Sequence, residues 1–189
     1  GLEAWPDTYL ALDTETTGFH AQSDYIVDFG HCLVDGGEIT SRMTMLIDWA
    51  KHPLVDRHHF FSRLRQTKQS MESEGKSYRY TPELLAREGV SPDEAFAFIM
   101  GFTRTLLDKG VFFVGHGVDF DEKMLCSMIQ RFGYGPGFTL GDRWIDTSCL
   151  VKASQVVGNS KMRPTEKDTL RGYWHRVKYA RLNGVYHSL

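Results

Sequence analysis

Asp13 and Glu15, separated by one residue, close an apolar run in the stretch Tyr9–Phe19, YLALDTETTGF. In a strand, residues i and i+2 point to the same face, so the two carboxylates project together. Held that close, they repel unless a proton or a cation sits between them. A plain alternative is a solvated strand end, because D-x-E alone is common. A second acidic group, Asp119, Asp121 and Glu122, lies in VGHGVDFDEKML, residues 114–125. There a buried strand ends and a helix begins. Two strand ends that carry acids to one sheet edge offer the oxygen donors that a hard divalent cation, Mg²⁺ or Mn²⁺, requires.

These groups need a scaffold, and the pattern of apolar and turn residues outlines one. Residues 8–13 read as a short buried strand. Residues 24–48 read as two strands around Gly36-Gly37, a pair that permits the positive-φ turn of a hairpin. Residues 51–79 are polar and irregular, with a moderate helical stripe at Phe60, Phe61, Leu64 and Met71. Thr81-Pro82-Glu83 opens a short helix that Gly89 closes, and Ser91-Pro92-Asp93-Glu94 opens a longer one. GVFFVGH, 110–116, is a buried strand, followed by a helix over 119–132. RWIDTSCLVKAS runs from a strand into a helix, and TEKDTLRGYWHRV is a last helical candidate. Three antiparallel strands followed by αβ alternation predict an α/β protein, with a mixed sheet and helices on both faces.

The chain of 189 residues, 41% hydrophobic and 24% charged, suits one domain, 1–189, with 51–79 as its insertion. The net charge of −2 gives no global basic signature, so attraction to phosphate has to come from local patches or bound metal. Cys32, Cys126 and Cys149 form no C-x-x-C pair, which argues against a disulfide framework or zinc knuckle and fits a reducing, intracellular (cytoplasmic) setting. Cys126 and Cys149 read as small core residues. No apolar run reaches the length of a membrane span, and the first residues carry no signal-peptide pattern.

Taken together, the motifs resemble those of the DnaQ-like, DEDDh-type 3′→5′ exonucleases of the ribonuclease H-like superfamily. ALDTETTGF is similar to the family's first motif, and VGHGVDFDEKML to its second, H-x-x-x-F-D. YTPELLAREGVSPDEAF is similar to the segment before the second motif. WIDTSCLVKA is similar to a later strand, and TLRGYWHRVKYARLNGVYHSL to the approach to the third motif. The likeness spans about three quarters of the chain and leaves out 51–79. It implies a ribonuclease H-like mixed five-stranded sheet. It also implies Asp13, Glu15 and Asp121 as metal ligands and His187 as general base. Thr16, Thr17, Gly18, Phe19 and His116 would contact the 3′-terminal nucleotide. Two Mg²⁺ or Mn²⁺ ions about 4 Å apart would clamp the scissile phosphate of a single-stranded end, DNA or RNA. By analogy with the family, homodimers are an option.

The chain departs from the family pattern in three ways. Gly117 stands where the family usually has Asn, which predicts a lost hydrogen bond. Asp119 is an additional acid, expected to be exposed and not a ligand. The family's last acid would fall at position 192, past Leu189, so the metal site is expected to be incomplete within these residues and His187, near the chain end, to be mobile.

Two basic segments, 51–79 and 161–181, invite comparison with a strand-tracking arm in which Phe60 or Phe61 stacks on bases. The competing reading puts Phe60 and Phe61 in the core, and likewise Leu170, Trp174 and Val177. His52, His58 and His59 read as a solvated loop. A catalytically degenerate exonuclease fold that binds nucleic acid or a protein partner is the alternative function.

Overall fold

The computed structural model describes residues 6–136, 139–140 and 143–148. Its elements run β1 (Thr8–Thr16), β2 (Ile26–Asp35), β3 (Glu38–Leu46), α1 (Arg57–Ser73), α2 (Pro82–Glu88), α3 (Pro92–Asp108), β4 (Phe112–Gly115), α4 (Val118–Phe132) and β5 (Trp144–Asp146). The described strands form one five-stranded sheet in the order β3-β2-β1-β4-β5. β1 pairs antiparallel with β2, and β2 with β3; β4 runs parallel to both β1 and β5. This is the mixed α/β sheet expected from the sequence, three antiparallel strands and then parallel ones.

β1 lies at the centre because its alternation serves two masters. Leu10 and Leu12 are buried in the core, whereas Asp13 and Glu15 on the other face are exposed. The core continues through Phe29 of β2, Phe60 and Leu64 of α1, Phe96 and Ile99 of α3, and Met124, Leu125 and Met128 of α4. Trp49, fully buried, donates its indole N–H to the Ile26 carbonyl at 2.6 Å, which satisfies its one polar atom.

The helix starts follow their cap residues. Thr81 caps α2 and Ser91 caps α3, the latter with a complete capping box to Glu94. α1 is a regular 17-residue helix where the sequence reads as irregular. Asp56 starts it by accepting from the His58 and His59 N–H groups. Phe60 and Leu64, four apart, dock it. The segment carrying α1 and α2 leaves and re-enters the sheet at one spot. Ile47 bridges Val90 in parallel, Val90 N–H donates to the Leu46 carbonyl at 2.9 Å, and Asp48 N–H donates to the Val90 carbonyl at 3.0 Å.

His52 is buried, contrary to the solvated loop expected from the sequence. Its ring centroid lies 4.9 Å from that of Phe132, within the aromatic group around Trp49. His58 and His59 are exposed. Among the described residues, no helix is long and apolar enough to cross a membrane.

Candidate active site

Asp13 and Glu15 stand on the exposed face of β1 near its C-terminal end, where β1 has already outrun its pairing with β4. The parallel ladder reaches only Ala11↔Val114, so the later N–H groups on that edge of β1 need other partners. α4 supplies one. The Asp121 carboxylate accepts from the Thr14 N–H at 3.0 Å and from Thr14 Oγ1 at 2.6 Å. The acid of the second motif is therefore fastened to the residue between the two acids of the first.

Gly117 makes this turn into α4 feasible. It takes φ +83°, a left-handed conformation that glycine adopts without steric cost. Its N–H donates to Asp146 Oδ1 of β5 at 2.9 Å. His116, exposed beside it, shares a 3.1 Å hydrogen bond through Nδ1 with Thr147 Oγ1 and exerts a lowering influence on the Asp13 pKa. Asp119 is exposed, as expected. Glu122 turns away and accepts from the Leu140 N–H and from Thr139 Oγ1.

The acids hold protons more readily than free carboxyls do. Asp13 and Glu15 are solvent-exposed, yet the surrounding protein displaces enough water for desolvation to be the largest influence raising each pKa. The Asp28 charge raises both further, Asp13 raises Glu15, and Arg79 lowers Glu15. Asp121 is 3% exposed, and burial pushes its carboxyl up to about 6 despite the two hydrogen bonds from Thr14.

Two further acids were hidden from sequence reading. Asp28 lies directly across from Glu15 in the β1–β2 register and is 5% exposed. Its Oδ2 accepts from Arg79 at 2.9 Å and from the Tyr80 hydroxyl at 2.8 Å, while its Oδ1 is buried without a hydrogen-bond partner. Asp24, fully buried, organises the loop after β1. It accepts from Thr17 Oγ1 at 3.0 Å, from the His20 N–H at 2.8 Å, and from Arg63 of α1 at 2.6 and 2.7 Å. No signal in the sequence distinguishes either acid from a solvated one.

The loop Thr16–Phe19 divides its work. Thr17 is fully buried, with its N–H on the Tyr25 carbonyl at 2.9 Å, so its donor is engaged within the loop. Thr16, Gly18 and Phe19, with Glu15 and Phe120, form one wall of a cavity of about 420 Å³. Phe19 is 83% exposed and its ring centroid lies 6.0 Å from that of Phe120. Gly18 has to be glycine: φ is +153°, and a Cβ there would lie 2.6 Å from Asp24 Oδ2 and 2.8 Å from Arg63 Nη2.

The donor chemistry of Asp13, Glu15 and Asp121 fits a hard divalent cation, and the unpartnered Asp28 oxygen adds to the negative potential at their face. Among the described residues, however, no three Asp, Glu, His or Cys side chains are gathered closely enough to hold an ion. His187, Cys149 and the basic segment 161–181 lie outside the described residues.

No protein-family model and no curated protein matches the chain. Solved structures do match. The metal-free form of the E. coli exonuclease I–ssDNA complex superposes with TM-score 0.58 at 15% identity, over 83% of this chain and 32% of that one. The chain shares its fold with part of exonuclease I. A moderately thermophilic exonuclease I from Methylocaldum szegediense gives TM-score 0.57 at 15% identity, over 82% of this chain and 31% of that one. The zinc-bound form of the E. coli exonuclease I–ssDNA complex gives 0.56 at 16%, over 78% and 29%. The chain thus spans about a third of the length of the exonuclease I chains it matches.

Proposed function

We propose that the chain is a metal-dependent 3′→5′ exonuclease of the DEDDh type, releasing nucleoside 5′-monophosphates from single-stranded DNA or RNA ends. One observation carries the reading. Asp13 and Glu15 share an exposed face at the end of the central strand, and Asp121 grips Thr14 between them. A fold shared with part of exonuclease I supports it.

Asp13, Glu15 and Asp121 are the residues that would hold Mg²⁺ or Mn²⁺. A divalent cation bound there supplies Lewis-acid activation and charge neutralisation at a phosphodiester. The protein's own contribution is placement. Thr14 fixes Asp121, the Asp24–Arg63 pair fixes the loop, and Phe19 offers an aromatic face to a base. His187 is the proposed general base, a role that suits imidazole because its ordinary pKa is close to neutral.

The test uses 5′-labelled DNA and RNA oligonucleotides with the full-length protein and Mg²⁺ or Mn²⁺. A ladder of shortened products is expected, which chelator abolishes. Asp13→Ala should remove the ladder without lowering the circular-dichroism melt. No ladder from either substrate overturns the reading. The second reading, a degenerate exonuclease fold that binds without cleaving, draws on the commitment of the Asp121 carboxylate to Thr14. It expects oligonucleotide binding that persists in chelator, with no products.

A further inference from the structure

Packing accounts for only one face of α1. Phe60 and Leu64 enter the core. Beside them, Arg63, Gln66, Thr67, Ser70 and Met71 follow one another at the three- and four-residue steps of helical neighbours, and all five line the 420 Å³ cavity opposite the Thr16–Phe19 loop. This strip is fastened to the loop. Arg63 pairs with Asp24 at 2.6 Å, and Thr67 Oγ1 donates to the Thr17 carbonyl. Just past the helix, the Tyr78 hydroxyl donates to the Thr16 carbonyl at 3.0 Å. The gap between the two walls is therefore set by hydrogen bonds.

The size and lining of the cavity narrow its occupant. Small-molecule sites begin at roughly 300 Å³, so this cavity suits one nucleotide and not a longer piece of strand. Phe19, 83% exposed at the cavity wall, is an aromatic face left in water, as a stacking platform for a planar ligand requires. Glu15 belongs both to the cavity lining and to the acidic pair, so a divalent cation held by that pair would orient a nucleotide with its phosphate toward Asp13 and Glu15. Gln66 is held on both sides of its amide: its Oε1 accepts from Arg63 at 3.1 Å and its Nε2 donates to Ser62 Oγ at 3.3 Å. That leaves one amide N–H and one lone pair, the complement of a base edge.

We propose that α1 is the base-reading wall of a one-nucleotide pocket. Gln66 and Ser70 contact the edge of the 3′-terminal base, while the Thr16–Phe19 loop holds its sugar and its face. This rests on the exonuclease reading above and extends it to a helix outside the motif likeness.

Ligand-observed NMR tests it. The full-length protein, with Mg²⁺, is titrated with the 2′-deoxynucleoside 5′-monophosphates of A, C, G and T. Gln66 and Ser70 are both exposed, so their variants should melt like wild type. Ser70→Trp fills the cavity and should weaken every monophosphate by about tenfold or more. Gln66→Ala should change the ranking among the bases by about threefold while leaving the mean affinity close to wild type. If both variants bind all four monophosphates as wild type does, α1 is not the wall. A wild type that still digests a labelled oligonucleotide in that case leaves the exonuclease reading standing. A wild type that neither binds monophosphates nor digests overturns both.

Discussion

Asp121 carries a measurable signature of its burial. Its carboxyl titrates at about 6 in the folded protein against 3.8 ordinarily, because lost hydration outweighs the two hydrogen bonds from Thr14. Between those values the folded protein holds a proton that the unfolded chain has released, so stability falls as pH rises through that window. Asp13 and Glu15 are raised too and act in the same direction. In chelator, these carboxyls should therefore pull the melting midpoint down from about pH 4 to pH 6, while the lowered pKa of buried His31 pulls the other way. Asp121→Asn, which keeps an acceptor for both Thr14 donors, should flatten that decline and melt higher at neutral pH. A lower melt for the variant at pH 7 would show that the hydrogen bonds dominate. That Asp13 and Glu15 share a face was legible from their period-two spacing, whereas Asp121 was singled out from its acidic neighbours by the resemblance carried by the Phe120-Asp121 pair. Asp24 and Asp28 were not. What makes them special is a partner 39 to 52 residues away, Arg63 for one and Arg79 and Tyr80 for the other, and no local pattern announces such pairs.

At the scale of elements, α1 decides how the loop stands. Arg63→Ala would leave Asp24 fully buried and without its cation, at a cost of about 3 kcal/mol in chemical denaturation. The companion Asp24→Asn/Arg63→Ala variant should recover part of that loss. Phe60 offers a sharper contrast. It is fully buried, so Phe60→Ala should lower stability by about 3–5 kcal/mol, as a core truncation does. Were Phe60 a base-stacking residue, the same change would weaken oligonucleotide binding and leave the denaturation midpoint in place. The first three strands, the Gly36-Gly37 turn and the caps at Thr81 and Ser91 could be read directly, since each has a strong local cause. α1 could not be read as a full helix. Only Phe60 and Leu64 on it are buried, and polar and charged residues make up most of the rest, so its apolar stripe is too thin to stand out.

Across the whole molecule, electrostatics opposes a phosphate ligand until a cation arrives. The net charge is −2, and among the described residues Arg63, Lys76 and Arg79 near the cavity are paired, with Asp24, Glu74 and Asp28. Among the described residues, the face that carries Asp13 and Glu15 has an excess of negative charge that His116 and Arg79 offset only in part. Without metal, Asp13→Asn should bind a single-stranded oligonucleotide more tightly than wild type, by about twofold to fivefold at low salt, and the difference should shrink as salt rises. With Mg²⁺ the order should reverse. Fluorescence anisotropy under the two conditions checks both signs.

The meeting of Ile47 with Val90 has a consequence for how this fold can vary. The chain departs and returns at a single hydrogen-bonded point, so whatever lies between is anchored at both ends independently of its length. Lengthening such an excursion is cheap, about 0.6 kcal/mol for each doubling. The register of β1 with β2, which aligns Glu15 with Asp28, is set within the ladder of the two strands, and Trp49 and Tyr78 of the excursion add bonds to its edge. Within the stretch from Asp48 to Val90, change is therefore tolerated best between its fixed points, because Phe60 and Leu64 must still fill the core and Arg63, Tyr78 and Arg79 must still meet the loop and the strands.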